Sequence, residues 1–294
     1  MEILLTLSNI NNLEKVLNAK PNGLIFGSKF STRFKYSLEE LDKINDFCLH
    51  NNLKRYVSID AFINESDKYE LVLYLNHLKE LHLDGIYFND LGIIALSRRH
   101  EINCELIYNS DTLMTNSLDA AFYLKQGIGV VVSNILSVEE LFGIIRNNLN
   151  SLDLQVFGYL KMANSKREFL TNYFKHLGIS KDIKNKKDIY LVEENRNYKL
   201  PIIEDEYGTR IYGDSCLLMY SELAYIKDYL KRIIVDDLFL ENSDIAYDVI
   251  KDIKHLTVEN SEYLKEVLMN KYLDINLSTA YLYQKSTKTK EENE

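Results

Sequence analysis

A chain of 294 residues, 46% of them hydrophobic, is long enough to bury a sizeable core, as one large domain or two small ones. Its 11 glycines and 2 prolines exclude collagen-like and low-complexity classes, and no apolar run approaches the ~18 residues that a membrane span needs. A formal net charge of −9 argues against a stand-alone nucleic-acid binder, because phosphate contacts need clustered Lys and Arg; a local basic patch or a basic partner would have to supply them.

The N-terminal stretch MEILLTLSNINNLEKV has no basic region ahead of its short apolar run, so it does not read as a signal peptide, and a cytoplasmic protein is expected. From there, short apolar runs rich in β-branched residues alternate with longer amphipathic stretches. Strands are expected at 3–7, 24–27, 56–60, 85–88, 104–108, 129–133, 154–157 and 232–236, with helices at 10–18, 38–51, 66–81, 90–98, 116–125, 137–148 and 216–230. Two capping boxes, Ser37 with Glu40 and Ser137 with Glu140, fix helix starts and therefore strand ends, because each Ser takes an orphan amide while its Glu reaches back. Eight strands with helices between them predict an α/β fold, a closed TIM-like (β/α)8 barrel; an open doubly wound sheet is the alternative. After the first strand stands Leu7-Ser8-Asn9 and not Gly-x-Gly-x-x-Gly, which argues against the dinucleotide-binding version.

The barrel is expected to span 1–256 and to carry an insertion, 159–215, between strands seven and eight. The insertion begins as a helix at 164–177 and passes through the Lys-rich KDIKNKKD at 181–188. It then forms a hairpin of 189–194 with 199–212, turning at Asn195-Arg196-Asn197. A loop this long on the active face of a barrel is usually functional. Helices at 242–255 and 259–271 follow, the second within a C-terminal extension at 257–285, and the polar tail 286–294 reads as disordered.

Barrel chemistry lies at the carboxyl ends of strands. Those ends carry Ser8, Asn9, Ser28, Asp60, Asn64, Asn89, Asp90, Asn109, Ser110, Asp111, Thr112, Ser133, Asn134, Asp236 and Asp237. Arg33 after strand two and Lys161 after strand seven are the positive groups that could point inward. The run YNSDTLMTN clusters polar side chains after one strand, so Asn109, Thr112 and Asn116 join Arg33, Asp60, Lys161 and Asp236 as ligand-binding candidates; alternatively such residues cap helices and order loops. No Ser/His/Asp or Cys/His set can be assembled from these ends, so a nucleophilic hydrolase has little support. Asp60, Asp111 and Asp236 could provide a carboxylate pair for acid–base work, if any two converge. Cys48, Cys104 and Cys216 are far apart and the six histidines lack metal-type spacing, so plain thiols and no metal site are expected.

Several segments, in order, are similar to the U32 peptidase-like family. They are Gly27 to Arg33; Tyr108-Asn109 with Thr112 and Thr115-Asn116; Gln155-Val156-x-Gly158; Ser165-Lys166-Arg167-Glu168; and Asn172-Tyr173-Phe174. Tyr198-Lys199-x-Pro201, then Glu204-Asp205-Glu206-Tyr207-Gly208-Thr209, then Asp214-x-Cys216 complete the set. The chain most resembles the family's small-subunit branch, which works beside a larger U32 partner in 5-hydroxylation of the wobble uridine of tRNA. The resemblance implies a barrel fold, a heteromer that meets tRNA through the complex, no membrane, and prephenate as the hydroxyl source of the pathway. Larger members carry cysteines for an iron–sulfur cluster; two of those positions are Lys161 and Glu168 here, and cluster irons need thiolates, so the resemblance implies no cluster and no cofactor held by this chain. The family's His before Gly158 is Phe157, its Arg-Glu pair after strand six is Asn134-Ile135, and its Lys-Ile-Asp/Glu-Gly at strand eight is Ile234-Val235-Asp236-Asp237. Losing several titratable groups together favours a pocket that no longer performs the family chemistry, and so a non-catalytic or co-catalytic, non-cluster subunit. The alternatives are an autonomous U32-type peptidase or hydrolase, and a diverged barrel binding a small carboxylate metabolite through Arg33, Asn109 and Lys161. For the two motifs that mark the insertion, the plainer readings are a solvated helix face at 165–168 and a hairpin turn at 204–209 in which Gly208 supplies φ > 0.

Overall fold

The computed structural model describes residues 1–192 and 199–284. Seven strands run in parallel order: β1 (Glu2–Thr6), β2 (Gly23–Phe26), β3 (Lys54–Ile59), β4 (Gly85–Phe88), β5 (Glu105–Tyr108), β6 (Gly129–Val131) and β7 (Leu152–Ser165). β11 (Arg232–Val235) closes the barrel by pairing in parallel with β1 (Leu4↔Ile234) on one side and with β7 (Ile233↔Leu154) on the other. Between them lie α1 (Leu13–Ala19), α2 (Leu38–His50), α3 (Lys68–Glu80), α4 (Gly92–Arg99), α5 (Ser117–Leu124) and α6 (Val138–Asn147). Both expected capping boxes are present, at the starts of α2 and α6. The expected helix at 10–18 divides into a 3-10 turn (Ile10–Asn12) and α1.

One residue from each of seven strands fills the barrel interior: Leu4, Ile25, Tyr56, Tyr87, Ile107, Val131 and Ile234. Below this layer Arg232 is buried against the amino ends of β5 and β7. It donates to Asp153 at 2.8 and 2.9 Å and to Glu105 at 2.7 and 2.8 Å, and its guanidinium lies 5.3 Å from the Tyr56 ring. A charge this deep is tolerated because every side of it is paired.

The insertion differs from the sequence-based expectation. β7 does not stop at residue 157 but leaves the barrel as one 14-residue strand. Beyond the barrel it pairs antiparallel with β10 (Gly208–Leu218), from Thr209↔Ser165 to Leu218↔Phe157. The helix expected from 164 therefore begins only at α7 (Phe169–His176). The single strand expected at 199–212 is two strands, β9 (Lys199–Asp205) and β10, joined by a turn at Glu206 and Tyr207. Because β10 runs to Leu218, the helix expected from 216 starts at α8 (Tyr220–Ile226). For β7 and β10 the cause is long-range pairing, in which each strand lends the other its ladder partners and overrides local propensity, whereas β9 and β10 form the local hairpin turn that the plainer reading of 204–209 expected. Gly208 makes the turn possible, at φ +117° and so close to Ser165 that a Cβ would lie 2.0 Å from its carbonyl oxygen. β8 (Tyr190–Val192) pairs with β9 as expected, whereas the turn proposed at Asn195–Asn197 and the tail 286–294 lie outside the described residues.

α9 (Asp244–His255) follows β11, and α10 (Ser261–Lys271) and β12 (Leu277–Ser278) follow it. The extension is tied to the insertion by Cys216↔Leu277, and Leu268, Tyr272, Leu277 and Leu282 join the hydrophobic core of the barrel. Among the described residues no helix is long and apolar enough to cross a membrane.

Candidate functional site

The carboxyl ends of the strands converge on a buried ionic cluster. Asp60, at the end of β3, accepts from Ser31 Oγ at 3.0 Å and from Thr32 N at 2.8 Å. This folds the loop after β2 inward and delivers Arg33 to the barrel axis. There Arg33 donates through Nη1 to Asp236 Oδ2, and it lies 3.7 Å from Asp111 Oδ1 and 3.9 Å from Asp60 Oδ2. Lys161, carried in by the extension of β7, donates to Asp111 Oδ2 at 2.8 Å and lies 3.8 Å from Asp60 Oδ2. Asp111 reaches both cations from a tight turn at φ +58°, where its amide donates to Asn109 Oδ1. Asp236 is held by Thr6 Oγ1 at 2.9 Å and by Leu238 N at 3.0 Å.

Burial alone would push the Asp60 carboxyl up, but Lys161, Arg33 and Thr32 outweigh it and hold the group at about 2. Burial likewise pushes Lys161 down, and Asp111 and Asp60 reverse this, so its pKa is raised and the amine is a charged partner, not a base. Tyr212 of β10 pairs across from Lys161; its hydroxyl is buried without a hydrogen-bond partner among the described residues, and burial raises its pKa. Two cavities open on either side of the Asp111–Lys161 pair. One, of about 50 Å³, is lined by Arg33, Asn109, Asn134 and Gln155, with Asp111 and Lys161 at its edge. The other, of about 210 Å³, is lined by Phe62, Asn89, Tyr108, Thr112 and Asn164 beside the same pair.

Asp237 behaves differently. Burial first, then the neighbouring Asp236, raise its pKa to about 7, although Ser8 N and Thr6 Oγ1 donate to it. The native state thus keeps a proton to about pH 7 that the unfolded chain gives up near 3.9, so stability falls as pH rises between those values. Asp237→Asn is expected to remove that slope: equal to wild type at pH 4, and more stable by up to about 4 kcal/mol at pH 8. Urea unfolding at both pH values measures it, and a wild-type stability that rises from pH 4 to 8 in parallel with the variant contradicts it.

Of the seven ligand-binding candidates, Arg33, Asp60, Lys161 and Asp236 meet in this cluster, and Asn109 and Thr112 line its cavities. Asn116 does not reach it: exposed at the start of α5, it caps the helix by accepting from Leu118 N and Asp119 N. Asp111, which the sequence marked only as one carboxylate of a possible pair, links both cations. Tyr212 was not foreseen, because only the register of β10 on β7 brings it there.

The family-type motifs hold the insertion over the barrel mouth. Glu204 is fully buried and caps α7, accepting from Leu170 N at 2.7 Å and Thr171 N at 3.0 Å. Thr209 Oγ1 accepts from Phe169 N and lies 2.7 Å from Arg167 O, while Ser165 Oγ accepts from Arg167 N. Tyr207 packs on Phe30, ring centroids 6.0 Å apart, and Lys35 bridges Asp205 at 2.8 Å and Glu206 at 3.0 Å. Asp205 also lies 2.6 Å from Arg210, and both side chains are fully buried. Lys166 reaches Asn64 Oδ1 at 3.1 Å, on the loop after β3, and Arg167 stays exposed. The segment 204–209 thus docks on the loop 27–36, so these two motifs form one contact.

Residues 8–235 match the model of peptidase family U32. The chain belongs to this family. This U32 chain is 26% identical over 234 residues to tRNA hydroxylation protein P2 of Bacillus subtilis (strain 168), covering 77% of the chain and 76% of that protein. It is 28% identical over 144 residues to an uncharacterized protease of Methanocaldococcus jannaschii, covering 47% of the chain and 35% of that protein. Among solved structures it resembles a U32 peptidase at TM-score 0.50 and 15% identity, over 80% of this chain and 92% of that one, which supports the barrel fold.

The iron–sulfur cluster that the resemblance implies for larger U32 members meets no fitting donor set among the described residues. Cys48 lies on α2, Cys104 precedes β5 and Cys216 lies in β10, and burial raises the pKa of each thiol, disfavouring the thiolates that irons require. Lys161 is committed to two carboxylates. Among the described residues no hydrogen bond links a histidine ring to a serine, threonine or cysteine side chain: Ser31 and Thr32 are committed to Asp60, and the histidines lie on helices or their flanks, at 50, 77, 82, 100, 176 and 255.

Proposed function

We propose that this U32 chain is a cytoplasmic, non-cluster subunit of a tRNA wobble-uridine 5-hydroxylation system and acts with a larger U32 partner. The observation that carries the reading is the match to a tRNA hydroxylation protein over 77% of the chain. The site chemistry is consistent with it. Arg33 and Lys161 are each ion-paired within the cluster to Asp60, Asp111 or Asp236, so neither cation is left as a free anion receptor. In this reading the partner supplies the redox chemistry, prephenate is the hydroxyl source, and this chain supplies a rigid barrel surface and the insertion above it. An autonomous peptidase would need a paired nucleophile and base, which the cluster does not offer.

Nucleoside mass spectrometry of tRNA from a strain lacking this gene tests the reading. The expected result is loss of 5-hydroxyuridine derivatives, restored by the wild-type gene. Unchanged nucleosides in the deletion strain would remove the chain from the pathway.

A further inference from the structure

The charge of this chain is segregated. Residues 166–188 carry seven Lys and Arg against three Asp and Glu, a net +4 in a protein of −9, so the remainder stands at −13. This stretch is α7 with its flanks, the part of the insertion farthest from a conventional core role: no residue of α7 is buried. The helix is instead fastened at its amino end by Glu204 and Thr209.

Some cations of the stretch are already engaged. Lys184 pairs with Glu168 at 2.7 Å, and Lys166 holds the loop after β3. Arg167, Lys175, Lys181 and Lys186 are exposed and carry no ion pair among the described residues. Aromatic faces are interleaved with them. Phe169 and Tyr173, one helical turn apart on α7, are 46% and 57% exposed, and Lys181 lies 5.6 Å from the ring of Phe174. An apolar stripe alone would be ambiguous. Exposed rings set among unpaired cations, on a chain otherwise strongly acidic, fit a flexible polyanion whose bases can stack. An acidic protein partner would match the charge but would leave the aromatic spacing unexplained.

We infer that α7 and its basic flanks form a single-stranded RNA-binding surface, in which Lys175, Lys181 and Lys186 contact phosphates and Phe169 and Tyr173 stack on bases. The identity of the RNA as a tRNA anticodon loop rests on the function proposed above; the location of the surface rests on geometry and charge alone. Lys166 and Phe62 join this surface to the cavity beside Lys161, since the Lys166 amine lies 5.9 Å from the Phe62 ring that lines it.

The test is fluorescence anisotropy of a labelled anticodon stem-loop RNA with the full-length chain across a salt series. Wild type is expected to bind with a steep salt dependence. The triple variant Lys175→Glu, Lys181→Glu, Lys186→Glu is expected to bind about tenfold or more weaker, with a log–log salt slope shallower by about 2. Tyr173→Ala is expected to weaken binding about tenfold without changing the slope. The triple Lys→Arg variant, which keeps the charge, should bind like wild type, and unchanged thermal melting shows that the variants fold. No binding by the wild-type chain, or binding indifferent to these changes, overturns the inference. So does a Glu variant that binds RNA normally but no longer co-purifies with the larger U32 protein, which would make this face a protein interface. If the Glu variant loses RNA binding while tRNA nucleosides of the deletion strain match those of wild type, the surface stands and the pathway reading falls. If the Glu variant binds RNA normally while the deletion strain loses 5-hydroxyuridine, the surface falls and the pathway reading stands.

Discussion

Arg33→Met should destabilise the protein by about 3–5 kcal/mol at pH 8, because it leaves buried carboxylates without their main counter-charge. Asp236 is fully buried and Asp60 nearly so, and Lys161, which reaches only Asp60 and Asp111, would leave Asp236 without a cation. The penalty should depend on pH with a definite sign. In the wild type Asp60 sits at about 2, below its unfolded value, so its contribution is present above pH 4 and fades only as pH falls toward 2. Without Arg33 the stranded carboxyls take up protons more readily in the folded state than in the unfolded one, so the variant loses stability as pH rises and is partly rescued at pH 5. Adding Asp236→Asn should recover a substantial part of the loss, because it removes the acid that Arg33 contacts most closely. Urea titrations of wild type, Arg33→Met and the double variant at pH 5 and pH 8 measure all three effects. A single variant within 1 kcal/mol of wild type at pH 8 (a loss of about 3 is the least expected) would mean that the cluster is not the electrostatic keystone of the barrel mouth.

Gly158→Ala should cost about 2–5 kcal/mol, from backbone strain and overpacking together. Gly158 sits at φ +114°, just past the register shift of β7 against β11 between Gln155 and Phe157, and a Cβ there would lie 2.6 Å from the Asp236 carbonyl oxygen and 2.7 Å from its Cβ. Neither can retreat, because Asp236 is fixed by Thr6 and Arg33 on its other side. Gly143→Ala is the matching control. It lies within α6 with nothing within 4 Å of the added methyl, so it should be neutral or stabilising by up to about 1 kcal/mol. Equal unfolding midpoints for Gly158→Ala and wild type would show that the β7–β11 seam can open without loss.

These two predictions concern residues that the sequence presented unequally. Arg33, Asp60, Lys161 and Asp236 could be named in advance because each follows a strand whose end was marked by an apolar run or a capping box. What those residues do to one another could not. Lys161 reads as a free positive group in sequence, and it is a committed ion-pair partner only because β7 continues past the barrel and aims it at Asp111. Asn116 shows the opposite case: a polar residue in a suggestive cluster proves to be a helix cap, an interaction entirely local to its own chain segment.

The eight-strand barrel, the starts of α2 and α6, and the presence of an insertion before the last strand were all legible without coordinates. Each of these is written in short-range signals, namely hydrophobic period, capping residues and the length between strands. Tertiary pairing set the rest: that β7 runs on to Ser165, that β10 continues along it to Leu218, and that Tyr212 and Arg33 share one buried cluster. Those outcomes depend on hydrogen bonds and charges between residues some 40 to 200 positions apart, such as Thr209↔Ser165 and Arg33 with Asp236, and no local pattern encodes a partner at that distance.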